Sequence, residues 1–212
     1  MPTTQRLRHI LAAAGALAAV ALPAGQATAG TREVARQKVA LPCIASVLSC
    51  DNPAPRHRPG CAHADAVPKP GHIGHAENAT LCLVNRQRAL HGLRKLRSNA
   101  TLRRVAGSYA LRMATRNFFS HVSPGGTTFD QRIRDAGYLS GFSTWTMGEN
   151  IAWGQGRLAT PRQIVRAWMH SPGHRRNILD RHFRDAGLGI AAGLPVHGSG
   201  ATYVNEFARR SR

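Results

Sequence analysis

A change of pattern near residue 77 divides this 212-residue chain and limits what it can become. Residues 30–76 are rich in proline, glycine and arginine, show no sustained period, and read as an irregular extension. Pro53, Pro55, Pro59, Pro68 and Pro70 interrupt any helix there. From Asn78 onward the apolar residues become regular. Residues 78–91 read as a helix with Asn78 or Thr80 as cap and Gly92 as stop. Asn99 caps a stronger helix, where Leu102, Val105, Ala106, Tyr109, Ala110 and Met113 recur at three- and four-residue steps; such a stripe belongs to a core, not to a cofactor. A third helix runs from Thr127 or Thr128 to Gly137 and buries Phe129, Ile133 and Ala136. Thr160-Pro161 opens a fourth, carrying Ile164, Val165 and Trp168, and Ser171-Pro172 repeats the start signal at once, so a short helix follows. Residues 149–153, 187–191 and 202–208 read as strands, and the last two flank a turn segment and pair as a hairpin. Helices first and strands later predict an α+β domain with helices packed on a small antiparallel sheet.

The first residues carry a different signal. Arg6, Arg8 and His9 precede an apolar run from Ile10 to Leu22, and Ala27-Thr28-Ala29 is a small-x-small cleavage site. Residues 1–29 are therefore expected to be a secretory signal peptide, too short for a membrane span and cut after Ala29. No arginine pair directs the chain to twin-arginine export, so the general secretory route is expected, and no second apolar run reaches membrane length. Export favours disulfides, and the four cysteines Cys43, Cys50, Cys61 and Cys82 suggest two. Of three pairings, Cys43–Cys50 with Cys61–Cys82 closes only local loops and is the one expected. The spacings match no C-x-x-C zinc pattern. The extension also holds His57, His63, His72 and His75; such a cluster can bind metal, although in an irregular segment it is more often incidental.

The formal net charge is +19, nearly all of it from arginine. That balance draws a surface toward polyanions, with anionic cell-envelope polymers or acidic lipids as the candidate partners, or else it reflects arginine-rich composition alone. Arg94, Arg97, Arg103, Arg104, Arg112 and Arg116 follow the polar face of the first two helices, which is also their normal solvated face, so nucleic acid is not the expected partner. The chain is expected to be a monomer.

Three segments carry chemistry: Asn117-Phe118-Phe119-Ser120-His121-Val122-Ser123-Pro124, Gly148-Glu149-Asn150-Ile151-Ala152, and Ala167-Trp168-Met169-His170-Ser171-Pro172-Gly173-His174-Arg175-Arg176-Asn177-Ile178-Leu179. In this order, and with Leu81-Cys82-Leu83-Val84-Asn85 before them, they resemble the bacterial branch of the CAP superfamily, which unites cysteine-rich secretory, antigen 5 and pathogenesis-related proteins. The resemblance covers about residues 78–208 and places a CAP domain at 77–209. It implies an α-β-α sandwich with a cleft, where eukaryotic members hold two histidines and two glutamates and some bind a divalent cation. His121 and Glu149 match the first histidine and the first glutamate. The second glutamate falls near Ser171 and the second histidine near Thr202, in Thr202-Tyr203-Val204-Asn205, so two positions depart. His174, in the bacterial Ser-x-Gly-His motif, is the candidate to supply the missing imidazole.

Read on their own atoms, His121, Glu149 and His174 can form a zinc site with one open position. Each also has a plainer role: a buried histidine bonded to backbone, a carboxylate accepting backbone donors, a polar residue in a helix's first turn. Ser171, Thr202 and Asn205 are expected beside the cleft. No Gly-x-Ser-x-Gly elbow or HExxH motif is present, so no catalytic residue is assigned. Trp145, Trp153 and Trp168 can line a carbohydrate or lipid groove, although Trp168 on its helix stripe belongs more naturally to the core. Three functions follow: binding at the envelope or in the cleft, metal-dependent hydrolysis, or a purely structural role.

Overall fold

The computed structural model describes residues 60–212; the expected signal peptide, Cys43, Cys50 and His57 lie outside them. Cys61 and Cys82 form the expected disulfide, with Cα atoms 5.8 Å apart. It ties the segment before the first helix to that helix, α1 (Ile73–Leu90). α1 begins at Ile73, ahead of the expected caps: His72 precedes it without a side-chain cap, and Thr80 lies within it, donating to the Ala76 carbonyl at 2.7 Å. Tertiary ties hold the segment ahead of it. Arg162 donates to both carboxylate oxygens of Asp65 at 2.6 and 2.8 Å, and its backbone N–H donates to the Ala64 carbonyl.

The other helices start where side chains direct. The Asn99 side chain accepts from the Leu102 N–H at the head of α2 (Ala100–Thr115), and Thr128 with Gln131 forms a capping box on α3 (Phe129–Asp135). Thr160-Pro161 opens α4 (Pro161–His170) and Ser171-Pro172 opens α5 (Pro172–Leu179), with proline preset for the first helical position. Neither hydroxyl caps its helix; the Thr160 hydroxyl donates to the Arg157 carbonyl instead.

Four strands form one sheet in the order β1-β3-β4-β2. β2 (Thr144–Gln155), β3 (Asp185–Ala192) and β4 (Gly200–Ser211) pair antiparallel, with the expected β3–β4 hairpin at the centre. The sheet is mixed, not purely antiparallel as expected, because a two-residue strand, β1 (Arg97–Ser98), joins the edge parallel to β3. Two residues carry no periodicity, so only the docked partner reveals β1. β2 and β4 are each twelve residues long because they pair throughout. Their expected spans covered only the central portions.

Helices cover both faces, giving an α+β sandwich of three layers. α2 and α3 lie on one face: Tyr109, Ala110 and Met113 pack with Ile151 and Val204, and Leu102 and Ile133 pack with Tyr138 and Ala208. α1, α4 and α5 cover the other, where Val84, Ile164, Trp168 and Ile178 meet Leu188, Tyr203 and Phe207. Trp168, 1% exposed, is core, and its indole N–H donates to the Ile151 carbonyl. Gly187 and Gly189 allow α2 to lie directly on β3: a Cβ at Gly187 would sit 2.1 Å from the Leu102 carbonyl carbon, and one at Gly189 2.0 Å from the Gly107 nitrogen. No backbone can approach that closely over any other residue.

Candidate functional site

Alternation along β2 sends adjacent residues to opposite layers, and the Gly148-Glu149-Asn150 motif uses both. Glu149 points to the α2–α3 layer. Asn150 points to the α5 layer and donates to the His174 carbonyl at 3.0 Å. Asn177 of α5 donates to the Glu149 carbonyl at 3.2 Å and to the Asn150 side-chain oxygen at 2.9 Å. Gly148 leaves room for this: a Cβ there would lie 3.0 Å from the Phe183 ring and 3.3 Å from the Asn177 side-chain oxygen. Asn177 is thus the polar clamp between α5 and β2.

On the cleft side each oxygen of the Glu149 carboxylate has a partner. One oxygen meets His121 Nδ1 at 2.7 Å and the other accepts from Arg132 Nη2 at 2.6 Å. The Glu149 side chain is 1% exposed, Arg132 8% and His121 34%, so the imidazole is the solvent-facing member. Arg132, from α3, also donates to the His121 and Thr127 carbonyls and lies over the Tyr109 ring at 3.3 Å from its centroid. Tyr109 donates to the Ser120 carbonyl at 2.7 Å, and burial pushes its phenol up to about 12.

Glu206 completes the cluster. It is the cross-strand partner of Glu149, it is fully buried, and neither carboxyl oxygen has a hydrogen-bond partner among the described residues. Burial first, and the neighbouring Glu149 charge second, push its carboxyl well above the usual carboxylate range, favouring the protonated form. Sequence reasoning singled out neither Glu206 nor Arg132. The single acid of the strand was the available signal for Glu206.

The remaining sequence candidates take different places. His174, in the first turn of α5, is half-buried, and burial together with the charge of nearby His121 lowers its imidazole below the usual range. Ser171 stands at the α4–α5 junction. Thr202 is paired with Trp153, two same-face pairs along β4 from Glu206 and so about 13 Å away. Its hydroxyl donates to the Gly193 carbonyl at 2.8 Å. Asn205 is buried on the opposite face beside Asn150, with both side-chain polar atoms unpartnered among the described residues.

The residues around Glu149 do not fit a divalent cation. Both Glu149 oxygens are engaged, one of them by a buried guanidinium; burial favours the neutral form of Glu206; and Thr202 lies farther along β4. Among the described residues no three His, Cys, Asp or Glu side chains are arranged to hold a metal. Beside the cluster, between α2 and α3, lies an open groove of about 420 Å³ lined by Arg104, Ser108, Arg112, Thr127, Arg132 and the single acid Asp135, with Val105, Tyr109 and Ala136 completing its wall.

Comparison with known proteins agrees with this architecture. Residues 81–194 match the model of the CAP, cysteine-rich secretory protein family. The chain is 35% identical over 139 residues to the uncharacterized protein YkwD of Bacillus subtilis (strain 168), covering 65% of this chain and 49% of that protein. It is 32% identical over 115 residues to the uncharacterized membrane protein YlbC of the same organism, covering 54% of this chain and 31% of that one. The chain thus spans half or less of these relatives. Among solved structures, an extracellular SCP-domain protein of Bacillus anthracis str. Ames superposes with a TM-score of 0.53 at 29% identity, covering 67% of this chain and 44% of that one. An outer surface protein of Borrelia burgdorferi superposes with a TM-score of 0.51 at 22% identity, covering 62% of this chain and 90% of that one. With its three motifs assembled on one three-layered sandwich and more than half its length matched, the chain belongs to the CAP family of cysteine-rich secretory proteins.

Proposed function

We propose that the chain is exported and works by binding, holding an anionic polymer of the cell envelope in the groove between α2 and α3. The groove carries this reading: Arg104, Arg112 and Arg132 line it with the hydroxyls of Ser108 and Thr127, against one acid. Arg132 is committed to Glu149, whereas Arg104 and Arg112 form no ion pair among the described residues. They lie eight residues apart on α2, about 12 Å along its axis, a spacing suited to successive charges on a chain polymer. Export rests on the character of residues 1–29 and on the extracellular and outer-surface neighbours. Among the described residues no helix is long and apolar enough to cross a membrane.

Fluorescence anisotropy with labelled inorganic polyphosphate tests the reading. Binding should weaken steeply as salt rises, because attraction between exposed charges is screened beyond about 8 Å at physiological ionic strength. The Arg104→Ser/Arg112→Ser double variant should bind about tenfold more weakly than the parent, while Arg175→Ser/Arg176→Ser on α5 should bind like it. Absent binding, or equal binding by both double variants, refutes the groove.

A further inference from the structure

The layer built by α1, α4 and α5 is cationic over long stretches of sequence. Residues 161–179, which build α4 and α5, contain four arginines and no aspartate or glutamate, and residues 78–96 contain no acid either. Arg162 is paired with Asp65, and Arg88 is buried. Arg94, Lys95, Arg166, Arg175 and Arg176 are exposed and form no ion pair among the described residues. Asp180, just past the end of α5, is engaged locally: it accepts from the His182 N–H at 2.7 Å and faces His182 Nδ1 at 2.8 Å.

Within this face lies an apolar notch. Ser171 both ends α4 and begins α5, so the two helices turn about a single residue. The notch they leave, of about 340 Å³, is lined by Met169 and His170 from α4 and by Pro172, Arg175, Arg176 and Leu179 from α5. Spacings of three and four residues put Pro172, Arg175, Arg176 and Leu179 on one side of α5. Met169 and Leu179 are half-buried and pack on the core beneath, which gives the notch a firm apolar floor. The frame is held from two directions. Asn177 ties α5 to β2, and Arg88 donates to the Ile178 and Asp180 carbonyls at 2.7 and 2.9 Å. Arg175 Nη2 lies 3.4 Å from His91 Nε2, which brings the end of α1 alongside; there Leu90 is 64% exposed.

We propose that this face docks on a lipid bilayer that carries anionic headgroups. The notch offers the two chemistries of such an interface side by side. Guanidinium groups match phosphate oxygens, and arginine stems lie along apolar surface while their heads stay in the polar layer. Met169, Pro172 and Leu179 supply the apolar contact that the boundary between headgroups and acyl chains rewards. A soluble polyanion has no apolar part to cover that floor. In the α2–α3 groove, by contrast, the hydroxyls of Ser108 and Thr127 stand with the arginines. Each basic side chain near an anionic bilayer strengthens binding about fivefold, so the contact is reversible. The α2–α3 groove lies on the other side of the sheet, and docking through α5 does not depend on what that groove holds.

Cosedimentation with lipid vesicles tests the face, comparing phosphatidylcholine alone with phosphatidylcholine and phosphatidylglycerol in equal parts. Residues 30–212 are used, so that the apolar run from Ile10 to Leu22 does not itself insert, and circular dichroism confirms that each variant is folded. The parent should bind the mixed vesicles and not the neutral ones. Arg175→Ser/Arg176→Ser should bind the mixed vesicles about twenty-five-fold more weakly, two arginines at about fivefold each, while Arg104→Ser/Arg112→Ser should bind nearly as the parent does. Absent binding to the mixed vesicles, equal binding to the neutral ones, or equal losses in the two double variants overturns the proposal. Labelled polyphosphate separates this face from the α2–α3 groove: Arg175→Ser/Arg176→Ser should lose the vesicles and keep polyphosphate. Loss of both would make the α5 face a general polyanion site and would equally overturn docking on a bilayer.

Discussion

Replacing Glu206 by glutamine should stabilise the protein, and by an amount that depends on pH. The parent carboxyl is fully buried beside Glu149, with no hydrogen-bond partner for either oxygen among the described residues. Its folded-state pKa lies well above its unfolded value near 4.5. Between those two values the folded state binds a proton that the unfolded state has released, so stability falls as pH rises. Each pH unit in that window costs about 1.4 kcal/mol, the free energy of one pKa unit. Below pH 4.5 both states are protonated and the penalty vanishes. Glutamine keeps the shape of the protonated acid and does not titrate. Urea unfolding of the parent and Glu206→Gln, compared at successive pH values, should give equal stabilities near pH 4.5. The variant's advantage should then grow by about 1.4 kcal/mol per pH unit until it levels at the folded-state pKa. Other titrating groups are common to both proteins and cancel to first order in the difference. Parallel pH profiles would refute the assignment of a buried, protonated Glu206.

Two further substitutions probe the frame. Arg132→Met removes the guanidinium that faces Glu149 and leaves a carboxylate of 1% exposure beside Glu206, so stability should drop by about 3–5 kcal/mol in urea unfolding. Gly189→Ala drives a Cβ into the α2 backbone 2.0 Å away and should lower thermal stability by about 1–3 kcal/mol or more, whereas Gly125→Ala, with open space around it, should change little.

The fold was legible wherever a local rule acts alone. Asn99, Thr128 and the two proline starts marked helices because capping is a matter of a few adjacent residues. The Cys61–Cys82 bond followed from redox context and short separation. What stayed hidden depends on distant partners. α1 starts at Ile73, behind a segment held by the Cys61–Cys82 bond and by Arg162, nearly a hundred residues from Asp65. Arg88 reads as an ordinary helix arginine, yet it is fully buried and donates to the Ile178 and Asp180 carbonyls at the end of α5. The site divides the same way. His121 and Glu149 stand in recognisable motifs and meet at 2.7 Å. Arg132 and Glu206 reach them only through the α3 docking and the β2–β4 register. Thr202 and Asn205, chosen from their place in a motif, lie respectively farther along the strand and on its other face, because a strand alternates and a motif string does not.

The way β2 shares three consecutive residues between two layers restricts how this domain can change. Shifting the strand by one position relative to β4 would carry Glu149 into the layer under α5, and would bring Gly148 and Asn150 to face α2 and α3. No variant can therefore retune the acid by sliding its strand, nor loosen α5 without disturbing the backbone that presents the acid, since Asn177 holds the Glu149 carbonyl. Diversification is confined to surfaces this strand does not join: the outer residues of α2, the turn ahead of α1, and the exposed ring of His121.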